Sequence, residues 1–218
     1  MTNPVATTPA IREALASVHT QLRRSGTWWD ADQIGAIARR ARDAFAVRTA
    51  VPWLRDLPTA IDGLPAAAID VIDRVATDPG TIDRPWAKTH IDVLGDAPYV
   101  ELVGIAAVAI MVHVYAECAG ETVEPLGLPS ADAGEPSRKR PSGMGDIGAH
   151  VPMLEPFGYA NVARALSLVP SANLAFYTLV RPMYSEAGFE HLVWETPLSR
   201  PQVELVASRV ASLNECFY

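Results

Sequence analysis

The stretch Asp96-Ala-Pro-Tyr-Val-Glu-Leu-Val-Gly-Ile-Ala-Ala-Val-Ala-Ile-Met-Val-His-Val-Tyr-Ala-Glu-Cys-Ala-Gly120 decides the fold class. Asp96 reads as a helix cap, Pro98 stands in the first turn where its missing N–H costs nothing, and Gly120 ends the helix. The apolar run inside it, Leu102 to Ala116, is preceded by Glu101 and interrupted by His113. It falls short of the roughly 20 residues that a bilayer span needs, so a buried core helix is expected. Leu102–Val112 is apolar nearly all round, and such helices are covered on every side. Two layers of helices in one chain are not expected to cover it, so a homo-oligomer is.

Outward from this helix the pattern stays helical. Toward the N-terminus, Asp83 caps a helix with Pro85 in its first turn and Gly95 just past its end. From Pro65, Ala68, Ile69, Ile72, Val75 and Ala76 recur at helical spacing until Asp78-Pro79-Gly80 stops them. Asp30 caps another helix to about Phe45, with Ile34, Ile37, Ala38 and Ala41 on one face. Residues 1–26 are polar and less committed, with one helix from Ile11 to Arg24. Toward the C-terminus, 121–158 holds Pro125, Pro129, Pro136, Pro141, Pro152 and Pro156 among glycines, and no period survives there. It reads as a linker between two helical halves, 27–120 and 159–218, with the basic run Arg138-Lys139-Arg140 solvated. Helices resume at Asn161–Leu168 and Pro170–Tyr184, and Ser199 caps a last one with Pro201 in its first turn and Gln202 at the capping-box position. No segment alternates over strand length. The expected fold class is all-α.

Composition narrows the function. The 218 residues are 49% hydrophobic and 20% charged, which excludes disorder as the dominant state. A net charge of −7 without a basic face excludes non-specific nucleic-acid binding. Two cysteines, Cys118 and Cys216, are too few for a disulfide framework. Met1–Ala10 has no basic segment followed by an apolar one, so no signal peptide is read there, and the cytoplasm, where thiols stay reduced, is the expected compartment.

The two long helices match at an offset of 103 residues: Asp96-Ala-Pro-Tyr-Val-Glu-Leu-Val103 lies over Ser199-Arg-Pro-Gln-Val-Glu-Leu-Val206. Tyr115 falls over Tyr218 and His113 over Cys216. Cap, proline and four identical residues in register point to a duplication, each repeat burying its face against the other.

Glu204 and Cys216 stand twelve residues apart in Val203-Glu-Leu-Val-Ala-Ser-Arg-Val-Ala-Ser-Leu-Asn-Glu-Cys-Phe-Tyr218. This segment resembles the signature of the alkylhydroperoxidase D-like and carboxymuconolactone decarboxylase-like superfamily, in its peroxidase-related branch. There a Glu is followed, after eleven residues, by Cys-x-x-Cys and a His four positions beyond the second Cys. Asn161–Pro170 is similar to the helix before the signature, and the first half to a degenerate copy. The resemblance covers roughly residues 45–218 and is specific over 196–218. It implies an AhpD-like helical fold, usually oligomeric, in which two cysteines cycle between dithiol and disulfide while reducing a hydroperoxide. The substrate would be a hydroperoxide and the reductant a dithiol, with no metal or other cofactor, nucleic acid or membrane. Carried over, Glu204 matches the relay Glu and Cys216 the first, resolving Cys. The attacking Cys would come next after Tyr218, and the His four residues further on.

Geometry fits that implication. In one straight helix twelve residues span about 18 Å, so Glu204 cannot touch Cys216. Asn214, which tolerates the left-handed conformation, is a turn point from which a following antiparallel helix returns toward Glu204. A helix finishing at Cys216-Phe217-Tyr218 has no Gly, Asn or basic residue for its last carbonyls, so an interrupted reading frame is expected. A dithiol pair needs Cα atoms about 4.4–6.8 Å apart. Cys118, near a helix C-terminus that disfavours a thiolate, reads as a buried small hydrophobe. Glu101 reads as an acidic residue in a helix's first turn, His90 and His113 as core or surface histidines, and Trp28, Trp29, Trp53 and Trp86 as packing residues. Two alternatives stand beside the peroxidase: a decarboxylase-like lyase, and a non-catalytic helical oligomerisation or binding module.

Overall fold

A computed structural model describes residues 7–121, 128–154, 161–184 and 198–213, without the Trp53 side chain. Among these, eight α-helices are present: α1 (Pro9–Gln21), α2 (Ala31–Ala46), α3 (Ala66–Thr77), α4 (Arg84–Leu94), α5 (Asp96–Ala119), α6 (Asn161–Arg164), α7 (Pro170–Tyr184) and α8 (Arg200–Leu213). The described fold is all-α apart from one two-residue antiparallel pair, Met144–Gly145 with Met153–Leu154, too short to show as alternation in sequence.

The helix boundaries follow local chemistry. Asp30 accepts from the Gln33 N–H at 2.8 Å while the Gln33 side chain accepts from the Asp30 N–H at 3.1 Å, a complete capping box for α2. Asp83 accepts from the Trp86 N–H at 2.8 Å to start α4. Gly95, at φ 88°, both ends α4 and caps α5, so Asp96 is the first residue of α5 rather than its cap. Gly120, at φ 70°, closes α5, and the Glu121 N–H folds back to the Ala116 carbonyl at 2.9 Å. The helix expected over Asn161–Leu168 stops at Arg164, and the chain turns through 165–168 before α7.

α5 is the centre. α2, α3, α4 and α7 all pack against it, and α7 also packs along α1. Ile37, Val71, Ile72, Leu102, Leu168 and Leu179 are sealed in one continuous core, each aliphatic side chain worth about 1.5–3 kcal/mol on burial. Gly104 sets the α5–α7 distance: a Cβ on it would lie 2.9 Å from the Ala172 Cβ. By length and composition α5 could cross a membrane, yet it is mostly buried among the other helices. No residue from Leu102 to Val112 is exposed, and Val103, Ala107, Ile110 and Met111 are half-buried within the single chain.

Two further readings are corrected. The segment expected as a linker is bound to the first helices over much of its described length. The Ser130 N–H donates to the Arg23 carbonyl at 2.8 Å, Ser25 to Ala133 at 3.0 Å, and Arg138 to Thr27 at 2.7 Å. In the basic run expected to be solvated, Arg140 forms a two-pronged ion pair with Asp96 at 2.7 and 2.6 Å, clamping this segment to the start of α5. Second, α1 belongs to the core through Ala14 and Val18, with Leu22 just beyond it, because α7 supplies the surface it buries against.

Candidate functional site

Glu101 is the one Asp, Glu, Lys or Arg between Asp96 and Glu117. It lies in the second turn of α5, not the first, and only 3% of it is exposed. Its carboxylate points at the backbone leading into α2. Oε1 accepts from the Thr27 N–H at 2.6 Å, and Oε2 accepts from Trp28 at 2.6 Å and Trp29 at 3.3 Å. The Gly26 N–H donates to the Trp29 carbonyl at 2.9 Å, curling this segment into a nest of N–H groups. Gly26 is required there, because a Cβ would fall 2.2 Å from Oε1. The Trp29 indole anchors the same turn by donating to the Pro98 carbonyl at 3.0 Å. Burial pushes the Glu101 carboxyl above the ordinary carboxylate range, against the opposite pull of the three N–H donors.

A cleft of about 230 Å³ opens on the other side of this carboxylate. α1 contributes Val18 and Gln21, with Leu22 just beyond it, α5 contributes Ile105 and Val108, and α7 contributes Ala172 and Ala175. Gly26 and Glu101 line it; Trp28 and Trp29 do not. The Ser25 and Ser171 hydroxyls at its edge are engaged, Ser25 donating to the Gly134 carbonyl at 2.7 Å and Ser171 facing the Thr27 hydroxyl at 3.0 Å.

The residues carried by the resemblance sit elsewhere. Glu204 lies early in α8, its side chain 47% exposed, with Arg200 Nε 3.5 Å away. The Tyr184 hydroxyl donates to Glu204 Oε1 at 3.4 Å. Burial and the Glu204 carboxylate together raise the Tyr184 phenol. No described residue of α8 is buried, and Leu205, Val206, Val210 and Leu213 are all exposed. Cys216 lies outside the described residues, as do Asn214, Phe217 and Tyr218. Cys118 is a free, exposed thiol rather than a buried hydrophobe, because it stands on the outward face of the last turn of α5, whose inward face is Ala116 and Ala119.

His90 and His113 have partners other than Glu101 and Glu204. His90 Nδ1 donates to the Trp86 carbonyl at 2.9 Å and Nε2 faces Asp70 at 2.7 Å, so neither nitrogen is left for a metal. Trp86 stacks on that ring at 4.0 Å, a packing role as expected. His113 meets Phe45 edge-on at 6.0 Å with Nε2 3.4 Å from Glu117. Among the described residues no group of three His, Cys, Asp or Glu side chains is placed to hold a metal ion.

No protein-family model matches the chain, and no curated protein or solved structure is significantly similar to it. Sequence reasoning overlooked the Glu101 nest and cleft. The available signal was a lone carboxylate in the most apolar helix, since a buried charge requires partners.

Proposed function

We propose that this chain serves thiol-dependent reduction of hydroperoxides, as an alkylhydroperoxidase D-like protein holding part of the dithiol site. The observation that carries the reading is Glu204 followed twelve residues later by Cys216. What α8 adds in support is a half-exposed carboxylate within reach of the Tyr184 hydroxyl, a group able to pass a proton. In the cycle a cysteine thiolate attacks one oxygen of ROOH. The O–O bond breaks, the alkoxide leaves and is protonated to ROH, and the cysteine becomes a sulfenic acid. A second thiol displaces hydroxide from that sulfur, giving a disulfide and water, and an external dithiol restores both thiols. Cys216 takes the resolving part, and the attacking thiol and relay His belong to positions beyond Tyr218. The remaining parts of the reading are the cytoplasm as compartment and self-association as a homo-oligomer.

The 218-residue chain is therefore expected to be a poor peroxidase. An extended variant with Cys at the next position and His four residues later should turn over hydroperoxide with dithiothreitol. The gain should be at least about 10²–10⁴-fold, the usual worth of positioned acid–base help. Equal rates for the two chains, or an extended chain unaffected by Cys216→Ser, would overturn the assignment.

One observation favours the non-catalytic reading as second choice. Glu101, which the repeat aligns with Glu204, is held by three backbone N–H groups and serves the fold. Thiol titration of the extended chain with and without hydroperoxide separates the two: peroxide-dependent loss of two thiols marks the enzyme, unchanged thiols the module.

A further inference from the structure

The thiol chemistry leaves the cleft beside Glu101 unused. We propose that this cleft binds a small, neutral, mostly apolar molecule carrying one hydroxyl group, which donates to Glu101 Oε1 while the body lies against α1, α5 and α7.

Size sets the first limit. An apolar cavity of about 150 Å³ holds benzene, so about 230 Å³ suits a single substituted ring or a short alkyl chain. Drug-sized and nucleotide ligands occupy pockets of about 300–1,000 Å³. The lining sets the second: Val18, Leu22, Ile105, Val108 and Ala175 offer no hydrogen bonds to a polar body.

The polar end is set by Glu101. A carboxylate oxygen accepts in about two directions. Oε2 has two N–H donors, whereas Oε1 has one, from Thr27. Gly26 keeps the neighbourhood of Oε1 clear, since any side chain there would occupy it. The Ser25 and Ser171 hydroxyls have partners already and Arg24 is paired with Asp132, so besides the neutral Gln21 amide Oε1 is the acceptor left in the lining, and the only charged one. A ligand carboxylate or phosphate would be repelled by Glu101. An ammonium would have to lose its hydration among aliphatic side chains. A hydroxyl supplies the one donor at a much smaller desolvation cost.

Ligand-observed NMR and calorimetry on the full 218-residue chain test this with phenol, toluene and benzoate. Phenol should bind saturably. Toluene, with the same ring and no donor, should bind about tenfold more weakly, the worth of one hydrogen bond to a charged acceptor. Benzoate should not bind. Ala175→Phe fills the cleft and should abolish phenol binding with the helical circular dichroism retained. Leu174→Trp, at a rim position 63% exposed, is a second variant safe for folding and should weaken phenol severalfold. Absence of saturable phenol binding overturns the proposal. So does benzoate or toluene binding as tightly as phenol, or unchanged phenol affinity in a folded rim or cleft variant. Cys216→Ser should leave phenol binding intact, so failure of the thiol reading and failure of this one are told apart.

Discussion

Helix α5 buries Leu102 completely and leaves Glu101 3% exposed, whereas helix α8 leaves Leu205 71% exposed and half of the Glu204 side chain in solvent. The two helices share Val-Glu-Leu-Val in the same register, beginning two residues after Pro98 and Pro201. The difference therefore comes from what surrounds the tetrapeptide. After Glu101, α5 continues through fifteen residues without an Asp, Glu, Lys or Arg, and four helices pack against it. After Glu204, α8 soon meets Ser208 and Arg209, and no described residue of it is buried. A shared cap and proline fix where a helix begins. Burial, and with it the role of a carboxylate, is decided by the partners that the rest of the chain supplies. On α5 the carboxylate becomes a clamp on the turn before α2; on α8 it stays available to solvent and to Tyr184.

The comparison breaks first at Glu101. Glu101→Ala orphans three N–H donors, at about 1–3 kcal/mol for each buried one. A loss of several kcal/mol in urea unfolding is expected, enough to leave the domain largely unfolded if its stability is ordinary. A loss under about 1 kcal/mol would mean that the 26–29 turn does not depend on this clamp. The pH dependence carries its own sign. Burial raises the Glu101 carboxyl above 4.5, so its protonation stabilises the fold fully below that value. That contribution fades as pH rises through the raised native pKa. Glu101→Gln, which has no such proton, should gain on the wild type over that interval.

A smaller effect is expected where the proline-rich segment meets α5. The Asp96 carboxyl is held below 3.8, first by its hydrogen bonds from Arg140. Its contribution is thus present at neutral pH and lost as pH falls below 3.8, opposite in sign to Glu101. Both partners are partly exposed, so Arg140→Ala should cost no more than about 1 kcal/mol at neutral pH. It should also flatten the acid limb of the stability curve. The smallest effect belongs to Glu204→Gln. With nearly half of its side chain in solvent, it should change stability by less than about 0.5 kcal/mol. A larger loss would show that α8 is packed more tightly than α5's counterpart role allows, and the contrast between the two helices would fail.

Legibility in the sequence followed distance along the chain. Asp30 with Gln33, Asp83 with Pro85, and Ser199 with Gln202 act within one turn, and their patterns name the helix starts directly. The Glu101 nest joins residues more than seventy positions apart, and Ser25 and Thr27 reach Ala133 and Arg138 across more than a hundred. Nothing periodic marks such partners, and proline and glycine in 128–154 erase the one pattern that could have placed that segment on a surface. The exposure of Cys118 was hidden for a related reason: which face of the last turn of α5 is covered depends on partners distant in the chain, and they bury Ala116 and Ala119 while leaving Cys118 outside.

The packing of α7 along α1 also bears on how the chain comes together as it is made. About 150 residues separate the end of α1 from the start of α7. At about 5–20 residues per second, α1 leaves the ribosome roughly 10–30 s before its partner exists. During that interval α2, α3, α4 and α5 have each other, and their contacts span short stretches of chain that close quickly. Ala14, Val18 and Leu22 have no such cover. α1 is thus made before the other described helices yet docks among the last of them, and its apolar stripe is the surface a nascent-chain chaperone would meet.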